Sequence, residues 1–189
     1  MEDFVTKDIM AVVPVYVADR GNCTIIYAED ENITTNSSVR NIIKRLCTHY
    51  HLDRVASNKY FGNLIQVKNG VPLPLTRDRI FIQLKVRRAI GHCDGTMGYF
   101  NLDSIKSVKG TENDAFVILK NGTEIKCVSA LSNIKKHMKN GELVRNLYDN
   151  RIYTANEAME RYETSNTPAT KADIARLYMM LQDMSDKIG

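Results

Sequence analysis

The sequence predicts an α+β protein: an antiparallel, strongly bent sheet or small barrel, two or three helices packed on it, and a helical C-terminal appendage. Three observations carry that reading. Short β-branched runs bounded by turn residues recur through most of the chain up to Val128. One stretch among them, near residue 40, repeats its apolar residues at helical spacing. Beyond Asn140-Gly141 the pattern becomes helical apart from a linker near residue 165, and the chain is read as a β-rich domain over 1–150 and a helical appendage over 151–189.

The elements follow in order. Ile9 to Val17 is an apolar run whose Pro14 cannot donate to a ladder, so part of it belongs at an edge or a bulge. Asp19-Arg20-Gly21-Asn22 is a turn signal and Cys23 to Ala28 a second strand, together a hairpin. Glu29 to Ser37 reads as a polar loop. Ser38 can cap a helix reaching about His51, with Val39, Ile42, Ile43, Leu46 and Tyr50 on one side and Arg40, Lys44 and Arg45 on the other. That outer face suits a phosphate backbone or simply solvent, and the sequence leaves both open. Gly62 to Pro74 is turn-rich.

Ile80 to Val86 is β-branched and aromatic, with Ile80, Ile82, Leu84 and Val86 expected on one face and Phe81, Gln83, Lys85 and Arg87 on the other. A glycine-rich connection through Gly91, Gly95 and Gly98 leads to a short strand at Tyr99. Ala115 to Lys120 and Thr123 to Val128 flank Asn121-Gly122, the strongest local hairpin signal. Helices are expected over Ser129 to Met138, Glu142 to Tyr148 and Thr154 to Tyr162, then a linker over Glu163 to Ala169. Thr170 and Asp173 resemble a capping box for a last helix. In it Ile174, Leu177, Leu181, Met184 and Ile188 form an a/d stripe that docks on the domain or joins a second copy.

Charge points to function. Met1 to Thr35 holds two Lys/Arg against seven Asp/Glu, whereas Asn36 to Lys109 holds thirteen against four. Such an excess is the electrostatic footprint of a polyanion binder, nucleic acid first. Arg77, Arg79, Lys85, Arg87 and Arg88 lie at the two ends of the Ile80 strand and are the leading candidates for contact, with Lys59, Arg40 and Lys44 behind them.

Other chemistry finds little support. No phosphate-cradling or dinucleotide glycine motif is present, no catalytic constellation stands out, and an enzyme or a bound cofactor is not expected. Cys47, His49, His51, His92 and Cys93 carry soft ligand atoms, but residues 47, 49 and 51 diverge around a helix end, so packed thiols beside surface imidazoles are expected rather than a metal. The acidic start has no apolar signal core, and no apolar run is long enough to span a bilayer. A cytoplasmic protein is the expectation.

The order of landmarks from about Asp8 to Leu143 resembles the ComK family of bacterial competence transcription factors. They are Val13-Pro14; Thr24-Ile25-Ile26; Ile42-Ile43 with Leu46-Cys47 and Tyr50; Lys59-Tyr60-Phe61-Gly62; Pro72-Leu73-Pro74-Leu75; and Ile80-Phe81. Arg87-Arg88 ahead of Cys93, Ile105 with Val108, Glu112-Asn113-Asp114, and Lys120-Asn121-Gly122-Thr123-Glu124-Ile125 complete the series. The resemblance implies a DNA-binding activator, oligomeric on AT-rich boxes approached largely through the minor groove. Where the family has Trp shortly after the later cysteine, this chain has Asp94-Gly95-Thr96, and its tail beyond about Asn150 follows another pattern. A shorter stretch, Tyr99 to Asn140, is similar to LytTR-type DNA-binding domains. The reading is therefore a double-stranded DNA-binding transcription regulator. The alternative is a protein–protein interaction module that uses the C-terminal stripe and meets an acidic surface with its basic strand.

Overall fold

In the computed structural model, Ile9–Val17 (β1) and Gly21–Ala28 (β2) form the expected hairpin, with Asp19 and Gly21 in the left-handed region at its turn. Residues 4–91, 94–111 and 115–165 are described, together with helical positions 171, 174, 175 and 177; between 152 and 165 this is the backbone alone. The chain divides into two compact units, Met1–Asp149 and Asn150–Gly189. Where a polar loop is expected, Asn32–Thr35 forms an edge strand (β3), its Ile33 and Thr34 opposite Ile26 and Ile25. Four residues are too few for an alternating pattern to stand out among polar neighbours.

The expected helix is Val39–His49 (α1). Ser38 caps it, its hydroxyl accepting from the Asn41 N–H at 3.3 Å, and the buried side is Val39, Ile42, Ile43, Leu46 and Cys47. A second helix, Arg54–Leu64 (α2), follows after four residues. Asp53 caps it by accepting from the N–H groups of Val55 and Ala56 at 2.8 and 3.1 Å. Apolar periodicity does not announce α2, because it buries only Ser57, Phe61 and Gly62 while Val55, Tyr60 and Leu64 stay exposed.

Leu73–Thr76 (β4), Arg79–Lys85 (β5) and Met97–Asn101 (β6) complete an antiparallel sheet of order β3-β2-β1-β6-β5-β4. Its edges β3 and β4 are not joined, so the sheet is open and the barrel alternative falls away. β1 is an inner strand, yet its ladder to β6 pairs only Ala11 and Val12, so Pro14 sits where β2 is the partner and a missing donor costs nothing. After a single 3-10 turn at Leu102–Ser104, the strands Ile105–Gly110 (β7), Ala115–Leu119 (β8) and Glu124–Cys127 (β9) make a second antiparallel sheet, with Gly122 at φ +87° in the Asn121-Gly122 turn.

The six-stranded sheet is covered on both faces of its centre. One face, with Ala11, Ile82, Leu84 and Phe100, packs on Val117, Leu119 and Ile125 of the second sheet and on Ile134 of the last helix. The other, with Val12, Ile26, Phe81 and Tyr99, packs on Ile42, Ile43 and Leu46 of α1. The face assignment of β5 is as expected. Each such buried side chain is worth about 1.5–3 kcal/mol over its exposed state, so β5 is a rigid bar with charges at its ends.

The last helix departs from expectation. Leu131–Ser165 (α3) runs unbroken through Asn140-Gly141, where a break is expected, and through most of the anticipated connections at residues 149–153 and 163–165; residues 166–170 lie outside the described ones. Asn-Gly commonly marks a turn, but this glycine serves packing: a Cβ on Gly141 would lie 2.9 Å from Ile82 Cγ2 and 2.9 Å from Leu102 Cδ2.

His137 of α3 lies against Gly70, where a Cβ would come within 2.9 Å of its Cε1, and its Nδ1 is buried without a partner. Burial, and then the charge of Lys136, hold its pKa below the ordinary 6.5, against an opposing hydrogen bond to the Gly70 backbone. The folded state therefore favours the neutral ring. Below about pH 6.5 the unfolded chain takes the proton first, so stability should fall as pH drops through that value and level off below the depressed folded one. Melting temperatures at pH values either side of this window should show the decline, and His137→Gln should flatten it; an identical slope in the variant would refute the assignment.

Candidate nucleic-acid interface

Arg40 and Lys44 stand one turn apart on the exposed side of α1, and Arg54 enters beside them from the first turn of α2. The three line one groove with Asn41, Thr48 and Asp53. Arg54 is fixed there: its guanidinium donates to the Tyr99 hydroxyl at 2.9 Å and lies 5.9 Å from that ring's centre. Burial is the main cause that raises the Tyr99 pKa, so the hydroxyl stays protonated and accepts from Arg54 with a lone pair.

Arg40 also borders a second cleft, shared with Arg87, Asn22, Asn36 and Ser38. Arg87 Nε donates to the Gly95 carbonyl at 2.7 Å and Nη2 to Asn22 Oδ1 at 2.7 Å. Asp94 borders this cleft too. Its carboxylate accepts from the N–H groups of Gly91 and Ile90 and from the Asn22 amide, which hold its pKa below the usual carboxylate range. Arg87, Arg40, Lys44 and Arg54 thus form one strip across two adjoining clefts. The two acids in it, Asp53 and Asp94, are both engaged by backbone N–H groups.

The other expected contact residues lie elsewhere. Arg79 and Lys85 are at opposite ends of β5, about 20 Å apart at roughly 3.3 Å per residue. Arg79 is a packing residue: it donates to the Asp8 carboxylate and the Tyr50 hydroxyl, and its guanidinium lies 5.7 Å from the Tyr50 ring centre. Arg77, exposed in the β4–β5 turn, faces Asp149 at 3.3 Å. Lys85 is exposed, while its backbone ties β5 to the segment before α3 through the Val128 N–H at 2.8 Å. Arg88 is exposed beyond the clefts, and Lys59 borders a separate depression with Asn63 and Lys68. Only Arg40, Lys44 and Arg87 of the eight converge.

No protein-family model matches this chain, and no curated protein matches it either.

Arg54 is the member of the strip that sequence reasoning missed. Its signal was the cap residue Asp53 directly before it, in a stretch from Asn36 to Thr76 with six Lys/Arg and no other acid. Among the described residues no cluster of His, Cys, Asp or Glu could hold a metal; His92 and Cys93 lie outside them. Cys47 is a buried thiol at the floor of the groove, raised in pKa chiefly by burial, and Cys127 is pushed to about 12 by the same cause. Of the C-terminal stripe, Ile174 and Leu177 are exposed, while Leu181, Met184 and Ile188 lie outside the described residues. No described helix is long and apolar enough to cross a membrane.

Proposed function

We propose that this chain binds double-stranded DNA and regulates transcription, as an activator that prefers AT-rich sites. The observation that carries the reading is the strip of Arg87, Arg40, Lys44 and Arg54, whose neighbouring carboxylates are already engaged by N–H groups. A duplex presents one negative charge per about 1.7 Å of its axis, so such a strip is matched by a run of phosphates rather than by a small anion. Activation and the AT preference rest on the family resemblance. The exposed Ile174 and Leu177 support a second copy of the chain as a further partner, which would multiply weak contacts on repeated boxes.

The decisive measurement is binding to AT-rich and GC-rich duplexes at several salt concentrations. With four phosphates neutralised, the slope of log affinity against log salt should be about −3.6, at roughly −0.9 per contact. AT-rich duplex should be preferred. No detectable duplex binding at low salt would overturn the reading and leave the same strip to an acidic protein partner.

A further inference from the structure

Resting on that reading, we infer that α1 and α2 form a helix–turn–helix unit in which α2 enters the major groove and reads base edges while α1 crosses the phosphate backbone. Both helices have eleven residues, and the link Tyr50 to Asp53 is tight: the Leu52 N–H reaches the Cys47 carbonyl at 2.8 Å and His51 takes a φ of +50°. A short turn with one left-handed residue holds the second helix in a fixed attitude to the first.

The two helices expose different chemistry. α1 presents Arg40 and Lys44, long cations suited to phosphate. α2 exposes Val55, Ala56, Lys59, Tyr60, Asn63 and Leu64, which recur as one face along its length, and the helix contains no acid. It is anchored from the opposite side by Phe61, only 1% exposed, so the outer face is not needed to hold the fold. Val55 at 78% exposure and Leu64 at 50% add little to the core and stand available on the outer face. Beside Lys59 and Asn63 they make a mixed surface of apolar contacts, a donor and an amide, as base-edge recognition requires.

Size and charge select the occupant. Within α2 the charges are Arg54 and Lys59, Lys68 follows it, and the one adjacent acid, Asp53, is spent on the cap; the surface repels a basic partner and attracts a polyanion. A helix about 10–12 Å across fits the major groove, about 12 Å wide, and not the minor groove at about 6 Å. The thymine C5-methyl projects only into the major groove, so Val55 and Leu64 supply an AT preference without the minor-groove approach that the family resemblance implies.

The test uses the full chain and one mixed A/T duplex, made with thymine or with deoxyuridine throughout, which removes the methyl and leaves the minor-groove pattern intact. Affinity should fall by about fivefold or more on the deoxyuridine duplex. The double variant Val55→Ala, Leu64→Ala should bind the two duplexes alike, and a pyrrole polyamide bound in the minor groove should not displace the unaltered protein. Equal binding of the unaltered protein to both duplexes, or displacement by the polyamide, overturns the inference while leaving DNA binding in place. Failure of the unaltered protein to bind either duplex overturns DNA binding itself. Should the variant fail to fold, the comparison of duplexes with the unaltered protein still decides.

Discussion

Replacing Arg40 and Lys44 together by alanine should weaken duplex binding about tenfold or more, and should make the salt slope shallower by about 1.8, two contacts at roughly 0.9 each. Both side chains are on the exposed side of α1, opposite the residues it buries, and the Ser38 cap is untouched. Alanine also has the higher helix propensity, so the melting temperature should hold within a degree or two, consistent with surface changes of about 0.5 kcal/mol or less. Titration by fluorescence anisotropy at several salt concentrations gives both quantities. An unchanged slope would mean that Arg40 and Lys44 touch no phosphate.

Gly141→Ala has the second large effect, and its sign separates two arguments. Helix propensity alone favours alanine by about 1 kcal/mol in the interior of α3. Packing opposes it: the new Cβ would stand 2.9 Å from atoms of Ile82 and Leu102, which are 0% and 5% exposed and have no room to withdraw. Overpacking of this kind costs about 1–3 kcal/mol, so the expected outcome is a net loss of up to about 2 kcal/mol in denaturant unfolding, and a larger loss for Gly141→Leu. A stabilised Gly141→Ala would show that α3 can slide off the sheet at little cost.

Elements with a regular pattern were legible. The alternation of Ile80, Phe81 and Ile82 assigns them to the two faces of β5 that they occupy, and Ser38 followed by Val39, Ile42, Ile43 and Leu46 locates α1. α2 was not legible, because a helix held mainly through Phe61 carries no apolar stripe. Gly141 misled for a local reason: Asn-Gly encodes turns when read by itself, and only the approach of Ile82 and Leu102, far away in sequence, makes glycine the residue a continuous helix needs. The candidate site was half visible. The basic stretch from Asn36 to Lys109 contains every member of the strip, yet charge alone cannot tell Arg79, committed to Asp8 and Tyr50, from Arg40, which is turned to solvent.

The strand order carries a consequence for how the strip comes into being. β1, β2 and β3 are neighbours in sequence and in space, and so are β4, β5 and β6. Two local meanders are therefore stitched by a single seam, Ala11 to Phe100 and Val12 to Tyr99, across almost ninety residues of chain. Close contacts in sequence form early and distant ones late, so the seam is the slow closure of this half of the molecule. Arg87 Nη2 reaches from beyond β5 to Asn22 of β2, and thus clasps one meander to the other. A nascent or partly opened chain leaves Arg87 away from the cations of α1 and α2; the strip is complete only once the seam has shut.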